Sequence, residues 1–225
     1  MDAAIDRTLR ECEDALAQGG KVNLTKLGFW KAVSFVKRTP GAVQRYGDRI
    51  AAIDREAFVR ATPIVLPAWT GVALESLGTA VGAAIVAIAP ALASPWRELA
   101  FLAGAGALIG MTHALTHYFV GGLMGIRFTH FYSRPPLAPQ PGFKTDYATY
   151  LRAPARSRAW MHASGAIVSK VLPFVVAAIA AATGVEAWAL GLLLAIGVVQ
   201  LITDVTFSTR ASDWKKFRRE MRFAR

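Results

Sequence analysis

The apolar residues of this chain are gathered into four blocks, at about residues 62–91, 99–127, 163–183 and 187–207. A helix needs about 20 residues to cross roughly 30 Å of hydrocarbon, and each block is long enough. With 54% hydrophobic residues arranged this way, the chain reads as an all-α polytopic membrane protein with four transmembrane helices, a multi-pass protein of the cell membrane. Few polar groups interrupt the blocks. Glu75 lies mid-way along the first, Lys170 and Pro173 lie in the third, and Asp204 lies near the end of the fourth.

The formal net charge of +11 sits outside the apolar blocks, which points to anionic lipid headgroups and not to nucleic acid. Residues 1–60 hold eleven Lys and Arg, the connection 127–162 holds six against the single acid Asp146, and the tail from Arg210 holds seven. The two short connections share only Arg97. The positive-inside rule therefore places both termini and the long connection in the cytoplasm, as an even number of spans requires. The charged first 20 residues do not read as a signal peptide, so a later apolar segment is expected to direct insertion. Cys12 is the only cysteine, which excludes an intrachain disulfide.

Three regions follow. Residues 1–60 read as a cytoplasmic or interfacial region of three amphipathic helices, broken at Gly19-Gly20 and at Thr39-Pro40-Gly41. Within it, residues 21–38 interleave Lys21, Lys26, Lys31, Lys37 and Arg38 with Leu24, Leu27, Phe29, Trp30, Val33 and Phe35. That pattern suits a helix lying on a membrane or one packed in a small cytosolic subdomain. Residues 61–209 form the four-helix core, with a long connection at 128–162 whose proline-rich stretch 135–142 reads as a stiff extended linker. Residues 210–225 read as a basic interfacial helix with Trp214, Phe217 and Met221 on one face and Ser212 or Asp213 as N-cap; docking to a membrane-protein partner is the alternative. Gly71, Gly78, Gly82, Gly104, Gly106 and Gly110 read as helix-packing positions.

The second block carries His113-Ala114-Leu115-Thr116-His117. Ionisable groups at membrane depth are costly and mark candidate functional sites. Residues four apart share a helix face. Two imidazoles and one carboxylate make a tetrahedral zinc site with an open position. At 1.5 Å rise per residue His117 and His113 lie about 15 and 21 Å deep, Asp204 about 9 Å and Glu75 about 20 Å. Asp204 is the first candidate for the third ligand and Glu75 the second. Two alternatives stay open: neutral histidines that cross-link helices by hydrogen bonds, or a bis-histidine haem using His162 with one of the pair. Lys170 is a further polar core candidate, either paired with a carboxylate or contacting a substrate.

The run from His113 through Gly125 to Phe131 resembles the membrane-embedded site-2 protease family of zinc metalloproteases. In that family a transmembrane helix carries HExxH, a glycine and a short exit segment follow, and a later span supplies an aspartate. The resemblance implies zinc at His113 and His117 with Asp204 as that aspartate. The family's general base is the glutamate after the first histidine, and here that position is Ala114. Alanine cannot take a proton from metal-bound water. The expectation is a non-peptidase pseudoprotease that binds metal or acts as a scaffold. The alternatives are a metal-free accessory subunit of a larger membrane complex, and an active intramembrane zinc metallohydrolase with Glu75 as replacement base.

Overall fold

The computed structural model describes residues 2–134, 138–206 and 212–224, without the side chains of 138–140 and 205. Residues 135–137 of the proline-rich stretch, Phe207 at the end of the expected fourth span and Arg210 in the tail lie outside the described residues.

About 75% of the chain is helical. The N-terminal region forms α1 (Asp2–Ala17), α2 (Phe29–Val36) and α3 (Ala42–Ala61). Their apolar stripes meet: Leu9, Cys12, Leu16, Phe29, Val33, Val36 and Ile50 are buried together. Residues 21–38 thus contribute a shorter helix than expected, and its apolar face is spent inside this subdomain. Acids of α1 pair with bases of α3, with Arg49 gripping Glu13 at 2.6 Å.

Four helices are long and apolar enough to cross a membrane. They are α4 (Ala68–Ile88), extended by a short 3-10 turn to Ala91, then α5 (Trp96–Leu123), α7 (Ala155–Ala182) and α8 (Ala187–Thr206). Only 17–39% of their most apolar stretches is buried within the protein, so most of that surface faces outward and calls for lipid as its solvent. Small residues let the helices close up. A Cβ on Gly104 would fall 2.6 Å from the Val86 side chain, one on Gly78 2.7 Å from Met111, and one on Gly71 2.3 Å from Phe131. Gly82 is close but less tight, at 3.1 Å from Ala107, whereas Gly106 and Gly110 face open space and take no part in this packing.

The expectation of an all-α fold needs one correction. Strands β1 (Ile64–Pro67), β2 (Phe128–Arg134) and β3 (Ala138–Thr145) form an antiparallel sheet in the order β1-β2-β3. Ile64–Pro67 is apolar and reads in sequence as part of the first span. Val65 instead pairs with Tyr132, and Leu66 with Phe131. Part of the proline-rich stretch is likewise a strand, with Gly142 opposite Tyr132 and Phe143 opposite Phe131. The second span stops early for a local reason. Gly125 adopts φ 77°, a left-handed conformation open to glycine, and the Ile126 amide donates back to Gly121 O.

The sheet, α6 (Tyr147–Arg152), the N-terminal subdomain and α9 (Asp213–Met221) gather at one end of the bundle, where Ile126, Tyr150, Leu151 and Met161 join the N-terminal core. A second core at the opposite end holds Val86, Phe101, Leu108, Val176 and Leu193. Helix α9 has Ser212 as N-cap, its hydroxyl accepting from the Lys215 amide.

Candidate metal centre

Helix α5 projects His113 and His117 from one face, toward α7. The rings stand edge-to-face with centroids 4.8 Å apart. Their approach to α7 depends on Gly165: a Cβ there would lie 2.5 Å from His117 Nε2 and 2.7 Å from the His113 carbonyl. The outer nitrogens are held from behind. His117 Nδ1 is 2.6 Å from the Met161 carbonyl, and His113 Nδ1 is 3.4 Å from Ser169 Oγ. The single hydroxyl proton of Ser169 is directed at Gly165 O, 2.9 Å away. Toward His113 the hydroxyl can therefore only accept.

These partners fix the tautomers. A carbonyl and an accepting hydroxyl both require Nδ1–H, which leaves each neutral ring a bare Nε2. The two Nε2 atoms face each other at 3.3 Å. The third atom of the group is Asp213 Oδ2, 3.1 Å from His113 Nε2 and 3.2 Å from His117 Nε2. Three acceptor atoms so converge with no donor between them. For metal–ligand bonds of about 2.0–2.1 Å, a tetrahedral site has ligand–ligand edges of about 3.3–3.4 Å, close to this triangle. Among the described residues this trio forms the one cluster whose donors lie close enough to share a metal ion.

Asp213 opens α9 and divides its oxygens. Oδ2 meets the histidines and Oδ1 accepts from Lys216 Nζ at 3.0 Å. Burial alone would raise this carboxyl. The Lys216 charge beside Oδ1 opposes it and favours the ionised form.

The residues expected from sequence are thus redistributed. His113 and His117 meet a carboxylate, but it is Asp213 and not Asp204. Asp204 lies with Lys170 instead, Oδ2 to Nζ 2.9 Å. Both still line the same cavity of about 670 Å³ as the histidines, along with Ala114, His162 and Lys216. Glu75 is 1% exposed and its Oε2 has no hydrogen-bond partner among the described residues. It does not line that cavity. His162 Nε2 is 2.9 Å from the Tyr150 hydroxyl, outside the trio. Sequence reasoning placed Asp213 only as a helix cap. The available signal was the pattern of the tail, whose only acids in an otherwise cationic helix are Asp213 and Glu220.

No protein-family model, curated protein or solved structure matches this chain. Nothing in these comparisons bears on the likeness to site-2 proteases, which rests on residues 113–131 of the sequence and, loosely, on the arrangement of 99–207.

Proposed function

We propose that this is a multi-pass cell-membrane protein that holds a metal ion, zinc by its ligand set, at His113, His117 and Asp213, and that it has no peptidase activity. Its N-terminal subdomain, sheet and α9 lie on the cytoplasmic side, where the basic flanks belong. The observation that carries the reading is the convergence of three acceptors, each aimed by a group behind it. Lone pairs that close repel unless a cation sits among them. Bonds from Nδ1 to a carbonyl and a hydroxyl are the kind of support that orients histidine ligands in metal sites.

A metal held by these three protein groups would be left with an open coordination position and would supply Lewis-acid chemistry. Hydrolysis needs a base as well. Ala114 occupies the position of that base in the resembling family, and Glu75 does not line the cavity. The reading is accordingly a metal-binding scaffold in place of a protease. The short His–Asp contacts favour a second reading, in which one imidazolium takes a proton where the metal would be and the trio simply ties α5 to α9.

Elemental analysis of the full chain purified in mild detergent separates the two. The metal reading expects about one zinc per chain, falling to below about a tenth in His113→Ala, His117→Ala and Asp213→Asn. Asp204→Asn should keep the metal. Protein free of metal would overturn the assignment in favour of the ion-paired tie, and metal that survives the Asp213 substitution would overturn Asp213 as a ligand.

A further inference from the structure

We propose that the outer face of α9, with the start of α7, is a seat for the phosphate headgroup of an anionic glycerophospholipid. The inference does not depend on the metal. It begins with where α9 sends its charges. Both of its acids point inward: Asp213 to the histidines, and Glu220 to Lys37 at 2.6 Å and Arg158 at 2.7 Å. The outward face is left cationic. Arg156 from α7 joins Arg218 and Arg222 around a recess of about 530 Å³, completed by Phe217, Met221 and Ala224 with no carboxylate in its lining. All three arginines are exposed. Among the described residues none of the three ion-pairs with a carboxylate.

A second recess of about 500 Å³ continues the first, sharing Arg222 and adding Arg38, Arg219 and Phe223. Its one acid-engaged base is Lys37, already held by Glu220. The surface is therefore a groove of guanidinium groups, whose planar donor forks suit phosphate oxygens better than a point charge would.

Position selects lipid over a soluble anion. Phe217 stacks edge-on against Trp160 at 5.4 Å and Trp214 at 5.8 Å. Trp160 is 49% exposed near the start of an apolar spanning helix, the level at which tryptophan marks a membrane–water boundary. Arg156 stands one turn before it. The recess so combines three cations with the apolar side chains of Phe217 and Met221, beside an exposed tryptophan of a span-length helix, and both halves of an amphiphile are matched.

Native mass spectrometry of the detergent-purified full chain tests this with three probes: dioctanoyl phosphatidylglycerol, dioctanoyl phosphatidylcholine and inorganic phosphate. Phosphatidylglycerol should be retained; phosphatidylcholine and phosphate should not. Each basic side chain at an anionic lipid surface is worth roughly a fivefold factor, so Arg156→Gln/Arg218→Gln/Arg222→Gln should weaken retention by about a hundredfold. Arg7→Gln/Arg10→Gln/Lys21→Gln, which removes equal charge from exposed positions elsewhere, should leave it unchanged. Zinc content should be the same in all three proteins, which separates failure here from failure of the metal reading. Equal retention of the two lipids, tight binding of phosphate alone, a loss of less than about tenfold in the triple variant, or an equal loss in the control would each overturn the proposal.

Discussion

Gly165 is the residue on which the geometry of the histidine pair turns. It carries no chemistry, yet it is the point where α7 lies against the ligand face of α5. Any side chain there would occupy the space of His117 Nε2. An imidazole cannot yield by a few tenths of an ångström as a methionine would, because Met161 O holds its other nitrogen. Gly165→Ala should therefore turn the His117 ring and break the triangle. Loss of support for a metal ligand typically costs 10- to 100-fold in affinity, and a loss of about that size is expected here. Competition with a chromogenic zinc chelator measures it. Gly106→Ala, at a glycine of the histidine helix α5 with open space around it, should leave affinity unchanged. Residue by residue, the sequence made the histidines legible because polar groups stand out in an apolar block. It could not make Asp213 legible. An aspartate at the first position of a helix satisfies local capping rules, and its second use depends on where a whole helix docks. Nor did Asp204 reveal that Lys170 would claim it, since a buried charge takes whichever opposite charge the packing brings near.

That docked element, α9, is held at both ends by carboxylates. At its far end Glu220 is wholly buried between Lys37 and Arg158, one oxygen for each. Burial would raise this carboxyl, but the two cations outweigh it and hold it below its ordinary value. Lys37 is pushed down to about 8 by burial, despite the pull of Glu220. The sign for stability follows from the carboxylate. A folded-state value below the unfolded one means the unfolded chain binds more protons, so the contribution is present above about pH 4.3 and is lost as pH falls through the folded-state value. Acidification should release α9. Glu220→Gln should do the same at neutral pH, because it strands two buried cations, at a cost of about 3–5 kcal/mol. Limited proteolysis with trypsin reads the outcome: cleavage after Lys215, Arg218 and Arg219 within α9 should accelerate in the variant, and zinc content should fall with it because Asp213 rides on the same helix. Accelerated cleavage with unchanged zinc would mean that α9 does not carry a ligand. The sheet was the element least legible in advance. Of its strands, β1 is short, apolar throughout and runs directly into a spanning helix, and β3 carries two prolines, which leaves β2 without an evident partner in the sequence. Composition alone could not separate β1 from the helix that follows.

At the scale of the whole molecule, tryptophans mark the two ends of the bundle. Trp69 and Trp160 stand near the first turns of α4 and α7, at the end that carries the sheet, and are 70% and 49% exposed. Trp96 and Trp188 stand at the starts of α5 and α8, at the other end, and are 67% and 49% exposed. Two rings of exposed indoles separated by apolar helix surface fit the headgroup levels of a bilayer. Cationic residues lie overwhelmingly beyond the first ring, and the second end offers only Arg97 against Glu98 and Glu186. On the orientation we propose, positive charge is retained on the cytoplasmic face, and the histidine trio lies toward that side of the bilayer. His117 lies six residues from the end of α5, which sets it only about 9 Å from the helix terminus. That shallow depth explains how a helix outside the bundle can supply the third carboxylate, whereas the longer span expected from sequence hid this. Cysteine labelling in intact cells tests the arrangement. In a Cys12→Ala background, which removes the native thiol, Ala93→Cys in the short connection should react with a membrane-impermeant maleimide added outside. Arg7→Cys on the exposed face of α1 should react only after permeabilisation. The reverse pattern would place His113, His117 and Asp213 on the external side, and the positive-inside argument would then have failed for this protein.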